Sequence, residues 1–179
     1  MRFLTMSKVS RLLAVDASVL RSAGDKAGHS AHCTSVLSCI LEICHRAVLT
    51  VEIQEEWNRH QSRIAIKWRA SMNARKKLIP INIDAQRRRI TGQVNQLVHV
   101  TSAQRAGLMK DVHLLASAAS GDHVIVSGDQ ALKTLCDQHL AEPIEWLLTS
   151  HGGADILRKS VLARLTELSR TKPNPKLPQ

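Results

Sequence analysis

Acids are scarce in this chain. Fifteen Asp and Glu stand against 25 Lys and Arg over 179 residues, a formal charge of +10. That balance favours a polyanionic partner, nucleic acid ahead of an anionic membrane surface. It also makes each acid placed at a structural junction informative. Long apolar runs are missing too: nothing approaches the roughly 20 residues that span a bilayer, so no membrane association is expected. Met1–Ser10 lacks a cleavage-like site and is not expected to act as a signal peptide, and Met6 is an alternative start. The four cysteines, Cys33, Cys39, Cys44 and Cys136, have no CxxC spacing, which argues against zinc or disulfide use and fits a reducing cytoplasm. The nine histidines show no HxxxH or HxH pattern, and His113, two residues after Asp111, could serve as a ligand but reads better as a helix-surface residue. There is no internal repeat and no long polar tract; 44% apolar residues describe a folded protein with a real core.

Short apolar runs alternate with amphipathic stretches. Leu12–Val15, Ala47–Thr50, Val124–Ser127 and Pro143–Leu148 read as strands, the last at an edge, with a further short element near Val98–Val100. Between them the spacing predicts helices over Ser18–Ala23, Ser30–Arg46, about Val51–Lys77, Asp84–Leu97 (capped by Asp84), Lys110–Ser120 and Asp129–Leu140. Such alternation predicts an α/β fold, a three-layer α/β/α sandwich around a mostly parallel sheet of four to five strands. Residues 11–149 would form that domain. Residues 150–179 would add an amphipathic helix (Leu157, Val161, Leu165, Leu168) and a Pro-rich tail, Thr171–Gln179, expected to be disordered. The helix would either pack on its own domain or mediate homodimerisation.

In a parallel sheet, chemistry gathers outside the carboxyl ends of the strands. Asp16 follows the first strand, Asp129 follows Val124–Ser127, and Asp111 opens the helix that leads into that strand. Each alone could be a helix cap or a dipole partner. Three elements delivering an acid to one sheet edge point to a cation site. A fourth acid should come from the helix after the second strand. Ile53, Trp57, Ile64 and Trp68 define its buried stripe; Glu55 lies opposite and should be solvated, Glu56 lies on the flank and is preferred, and Glu52 is the reserve. Oxygen ligands favour Mg²⁺ or Mn²⁺, and two such ions roughly 4 Å apart suit phosphodiester hydrolysis. Ser127, at the same strand end, would support a carboxylate or a water. His60, Arg63 and Lys67 continue along the line of Glu56, with Arg59 beside them, as a track for phosphates. Arg75–Lys77 and Arg87–Arg89 are shorter basic runs. Neither the acid pair of a haloacid dehalogenase-type phosphatase nor the acids and lysine of a response-regulator receiver are present.

Val15-Asp16-Ala17-Ser18-Val19-Leu20, Glu55-Glu56-Trp57, Asp111 to Ala118, and Ile125-Val126-Ser127-Gly128-Asp129, in this order, resemble the PIN-domain nucleases across roughly Leu12–Leu148. The resemblance implies Mg²⁺ or Mn²⁺ bound by Asp16, Glu56, Asp111 and Asp129, hydrolysis of RNA, and, as in VapC-type toxins, a protein antitoxin. It supports Glu56 through the aromatic Trp57 that follows, and it leaves Asp122, before its strand, as a structural residue. Two positions depart: Gln130-Ala131 stand where many relatives carry a further acid, and Ser18 stands where Asn is frequent. The alternative reading is a PIN-like RNA-binding or scaffolding protein without catalysis.

Overall fold

The computed structural model of the chain describes residues 9–26, 28–149 and 155–171, without the side chains of 155–160. β1 (Leu12–Val15), β2 (Arg46–Leu49), β3 (Leu78–Pro80), β4 (Val124–Ser127) and β5 (Glu145–Leu148) make one sheet in the order β3-β2-β1-β4-β5. All four neighbouring pairs are parallel. Along β1, Leu13 and Val15 enter one core and Ala14 the other; along β4, Val124 and Val126 oppose Ile125 in the same way. The two-residue period of a strand therefore buries both faces, which is why these strands read as continuous apolar runs.

The first face is covered by α1 (Ala17–Ser22), α2 (His29–Glu42), α3 (Val51–His60) and α4 (Arg63–Ala74). The second is covered by α5 (Asp84–Gln96), α6 (Ser102–Lys110), α7 (Val112–Ala119) and α8 (Gln130–His139). α9 (Asp155–Leu168) returns to the first face, where Val161, Leu165 and Leu168 join the core. It is tied there by Arg11 Nε donating to Leu168 O (3.3 Å) and by His45 Nε2 on Leu165 O (2.7 Å). Packing on its own domain is thus what this helix does. This is the three-layer α/β/α sandwich the sequence predicts. Among the described residues no helix is long and apolar enough to cross a membrane.

Several elements differ from expectation, each for a local reason. The single helix expected over Val51–Lys77 is two, because Ser62 turns extended and its Oγ accepts from Ala65 N (3.2 Å) to cap α4. The apolar pattern runs through the break, since Trp57 and Trp68 meet edge to face at 5.8 Å, so periodicity did not reveal it. The last residues of that stretch lead into edge strand β3, ending at a proline that an edge tolerates. The element expected near Val98–Val100 is irregular, and Val98 is 83% exposed with no core to join. The helix expected over Lys110–Ser120 is α7 alone, with the unforeseen α6 running up to Asp111. α2 stops at Glu42, and Arg46 already belongs to β2. α5 is entered through Ile83, with Asp84 its first residue rather than its cap. The alternative start at Met6 and residues 172–179 of the Pro-rich tail lie outside the described residues.

Candidate metal centre

The strand order reverses between β1 and β4, where connections leave toward opposite sides and a crevice forms at the carboxyl ends. Asp16 stands at the end of β1 as the N-cap of α1. Its Oδ1 accepts from Ser18 N (3.3 Å), and its Oδ2 accepts from Ser18 Oγ (2.5 Å) and Ser127 Oγ (2.6 Å). Both serines are in turn held by β4 and its turn: Ser18 Oγ accepts from Gly128 N (2.9 Å) and Ser127 Oγ from Asp129 N (2.9 Å). Gly128 permits this approach, since a Cβ there would stand 3.2 Å from Ser18 Oγ. Asp129 caps α8 with one oxygen, accepting from Leu132 N (2.8 Å). Ser127 and Ser18 thus both donate to the Asp16 carboxylate.

Glu56 reaches the edge from the first face. Thr50 caps α3 by accepting from Ile53 N (3.2 Å), and fully buried Trp57 donates Nε1–H to Val15 O (3.0 Å). That bond pins α3 to the backbone just ahead of Asp16. Glu55 is exposed, as expected. Glu52 is engaged elsewhere: it pairs with Arg87 beside an open cleft lined by Thr50, Pro80 and Asn82. Burial pushes the Glu52 carboxyl up, and the hydrogen bond and charge of Arg87 outweigh this to hold it below the usual value. Between the two candidates, Glu56 is the one that faces the other acids.

Asp111 arrives from the second face at the break between α6 and α7, half-buried and making no cap bond with its side chain. Burial pushes its carboxyl up to about 6; the charges of Asp16 and Glu56 add to that push while Lys110 and His113 pull against it. These couplings place Asp16, Glu56 and Asp111 within electrostatic reach of one another. Cys136, beneath them, is pushed up to about 12 by burial and by the nearby charges of Asp137, Asp111 and Asp129. His113 is the correction here. Its side chain is only 10% exposed, and Nε2 lies 3.2 Å from Glu56 Oε2, so it is not a helix-surface residue. The signal available was its position two residues after Asp111, on the flank of α7 that continues the acid edge.

The other expected side chains are less concentrated. Asp122 is structural, accepting from Leu12 N (2.6 Å) at the opposite end of β1. Arg59, His60, Arg63 and Lys67 are all exposed, but the break at Ser62 divides them between α3 and α4. The continuous stripe expected along one helix does not exist; two short basic faces meet at a bend instead.

A divalent cation suits the chemistry of this edge. Its donors are carboxylates, one of them raised by burial and its neighbours' charges, and a second oxygen of Asp129 accepts no hydrogen bond among the described residues. The set does not yet close: among the described residues no three His, Cys, Asp or Glu side chains surround one point as they stand. No family model matches the chain, and neither the curated proteins nor the solved structures contain a match to it.

Proposed function

We propose that the chain is a metal-dependent ribonuclease, with Asp16, Glu56, Asp111 and Asp129 as its catalytic acids. The observation that carries this reading is the gathering of Asp16, Glu56 and half-buried Asp111 from three elements at the point where the strand order reverses, where burial and like charge push the Asp111 carboxyl up. Folding that brings like charges together costs stability, and a Mg²⁺ or Mn²⁺ ion neutralises them. When bound, such an ion supplies Lewis acidity and charge for phosphodiester hydrolysis. The chain's own part is to hold it. Asp111 and Glu56 offer carboxylate oxygens from the two faces, Asp129 offers its uncapped oxygen, and Ser18 and Ser127 fix the plane of Asp16. Arg59, His60, Arg63 and Lys67 would bind phosphates of the strand.

The resemblance to VapC-type toxins extends the proposal to a toxin held by a protein antitoxin, acting in the cytoplasm. The C-terminal helix lends it no support, because its apolar residues are used within the domain. A second reading has its own observation. Asp16 has both oxygens tied by Ser18 and Ser127, and among the described residues no three donors converge, as in an RNA-binding or scaffolding protein without catalysis. Incubation of total RNA with Mg²⁺, Mn²⁺ or EDTA separates the two. Cleavage that needs the metal and is abolished by both Asp16→Asn and Asp129→Asn, with circular dichroism unchanged, is expected. Metal-independent RNA binding without cleavage supports the second reading.

A further inference from the structure

His45 and His113 show how differently this fold treats an imidazole. His45 is fully buried and uses both nitrogens: Nδ1 accepts from Arg11 N (3.2 Å) and Nε2 meets Leu165 O (2.7 Å). It is a core histidine with its hydrogen bonds complete. His113 uses one. Its Nδ1 lies 3.2 Å from Lys110 O, a carbonyl that only an N–H can satisfy, which assigns the ring proton to Nδ1. In the neutral ring the lone pair is then on Nε2, an atom shielded from solvent and without a hydrogen-bond partner.

What faces that lone pair is another acceptor. Glu56 Oε2 is 3.2 Å away, out of line for a hydrogen bond, and Asp111 lies two residues back at the start of the same helix. A buried nitrogen lone pair and a carboxylate at this range repel unless a positive charge lies between or beside them. An imidazole that donates its far N–H to a backbone carbonyl while aiming its near nitrogen at carboxylates has the arrangement of a metal-ligating histidine. From this we infer that His113 Nε2 is a ligand of the divalent cation beside Glu56, in a set that closes around one point only as the ion binds. The inference rests on the metal-dependent reading above and gives the site a mixed nitrogen–oxygen donor set.

The donor set has a consequence for which ion is held. Imidazole suits the later first-row ions best; Mn²⁺ prefers oxygen but, as the first of that series, holds a nitrogen better than the hard, reluctantly dehydrated Mg²⁺ does. His113 therefore tilts the site from Mg²⁺ toward Mn²⁺, and removing its imidazole costs the two ions unequally.

The test uses the full chain with Mn²⁺ alone and no RNA. Pulsed electron paramagnetic resonance of bound Mn²⁺ should show ¹⁴N modulation from one imidazole in the wild type and none in His113→Gln. Calorimetric titration should show Mn²⁺ affinity falling about 10- to 100-fold in that variant, with a smaller fall for Mg²⁺. If His113→Gln folds poorly, His113→Asn takes its place, and the wild-type spectrum stands by itself. Mn²⁺ bound without nitrogen modulation, or an equal loss for both ions, overturns the inference and leaves His113 as an ion-pair partner of Glu56. A wild type that binds no Mn²⁺, indistinguishable from Asp111→Asn, overturns the metal-dependent reading and this inference with it.

Discussion

The candidate site has two corners that treat their carboxylates in opposite ways. At the β1–β4 corner, Asp16 accepts three hydrogen bonds, and the serines that donate to it are themselves held by Gly128 N and Asp129 N. Between α3 and α7, Asp111 makes no cap bond, and Glu56 faces an imidazole nitrogen that has no hydrogen-bond partner. The first corner is what a fold does with an acid it uses as a joint. The second is what a fold would discard if stability were the only requirement, since a half-buried carboxyl without partners lowers stability. A residue kept at a cost is a stronger sign of function than one that also caps a helix.

This contrast predicts opposite signs for two substitutions, measured by urea unfolding at pH 7 with a chelator present. Asp16→Ala removes a helix cap and the acceptor of two serine hydroxyls, and should destabilise by about 3 kcal/mol. Asp111→Asn should stabilise. Its carboxyl, pushed up to about 6, has a folded pKa above the unfolded value near 3.9, so the protein is favoured while the group is protonated. Stability from Asp111 is fully present below about pH 4 and is lost as pH rises through about 6. Discounted for partial exposure, the gain in Asp111→Asn should be about 1–2 kcal/mol at pH 7 and vanish near pH 4. Destabilisation by Asp111→Asn at neutral pH would erase the distinction between the corners.

A smaller effect joins the corners. Trp57 is itself no proposed ligand, yet its Nε1–H bond to Val15 O holds α3 against the strand end that carries Asp16. Trp57→Phe keeps most of the apolar volume and leaves that carbonyl without its donor, at a cost of about 1–2 kcal/mol. Because the bond sets where Glu56 stands, Mn²⁺ affinity should fall as well. Affinity unchanged in a destabilised variant would mean that Glu56 is positioned by something other than this indole.

Most of the sheet was legible because buried parallel strands are short apolar runs that end at turn residues, and β1, β2, β4 and β5 all do so. β3 was hidden, a three-residue edge strand following Arg75-Lys76-Lys77 that carries too little pattern to register. Helix breaks were hidden for a different reason. Ser62 and Asp111 interrupt the backbone without interrupting the apolar spacing, which is all that periodicity reports. At the site, Asp16, Asp111 and Asp129 were readable from their place relative to strands, and Glu56 from its angle to Trp57. His113 carried a signal in its place two residues after Asp111, but its burial depends on α3 crossing toward α7, a tertiary fact with no local trace. The basic track was misdrawn for want of the break at Ser62.

The smallest effects belong to that track, and they extend the comparison from acids to cations. Arg87, Arg89 and Arg164 are each paired with a glutamate, so they serve the fold or one another. No ion pair among the described residues holds Arg59, Arg63 or Lys67, and all three side chains are exposed. Alanine at any of the three should therefore change stability by no more than about 0.5 kcal/mol. If they bind phosphates, each substitution should weaken single-stranded RNA binding evenly across sequences and reduce the salt slope by about 0.7 for each phosphate no longer neutralised. The bend at Ser62 sharpens the expectation. Arg59 lies on α3 with Glu56, whereas Arg63 and Lys67 lie on α4, so one strand of RNA follows both sets only by crossing the bend. Additive losses across Arg59→Ala and the Arg63→Ala/Lys67→Ala pair indicate one continuous path. A loss confined to Arg59→Ala restricts the path to α3, and no change in salt slope from any of them removes this surface from RNA binding.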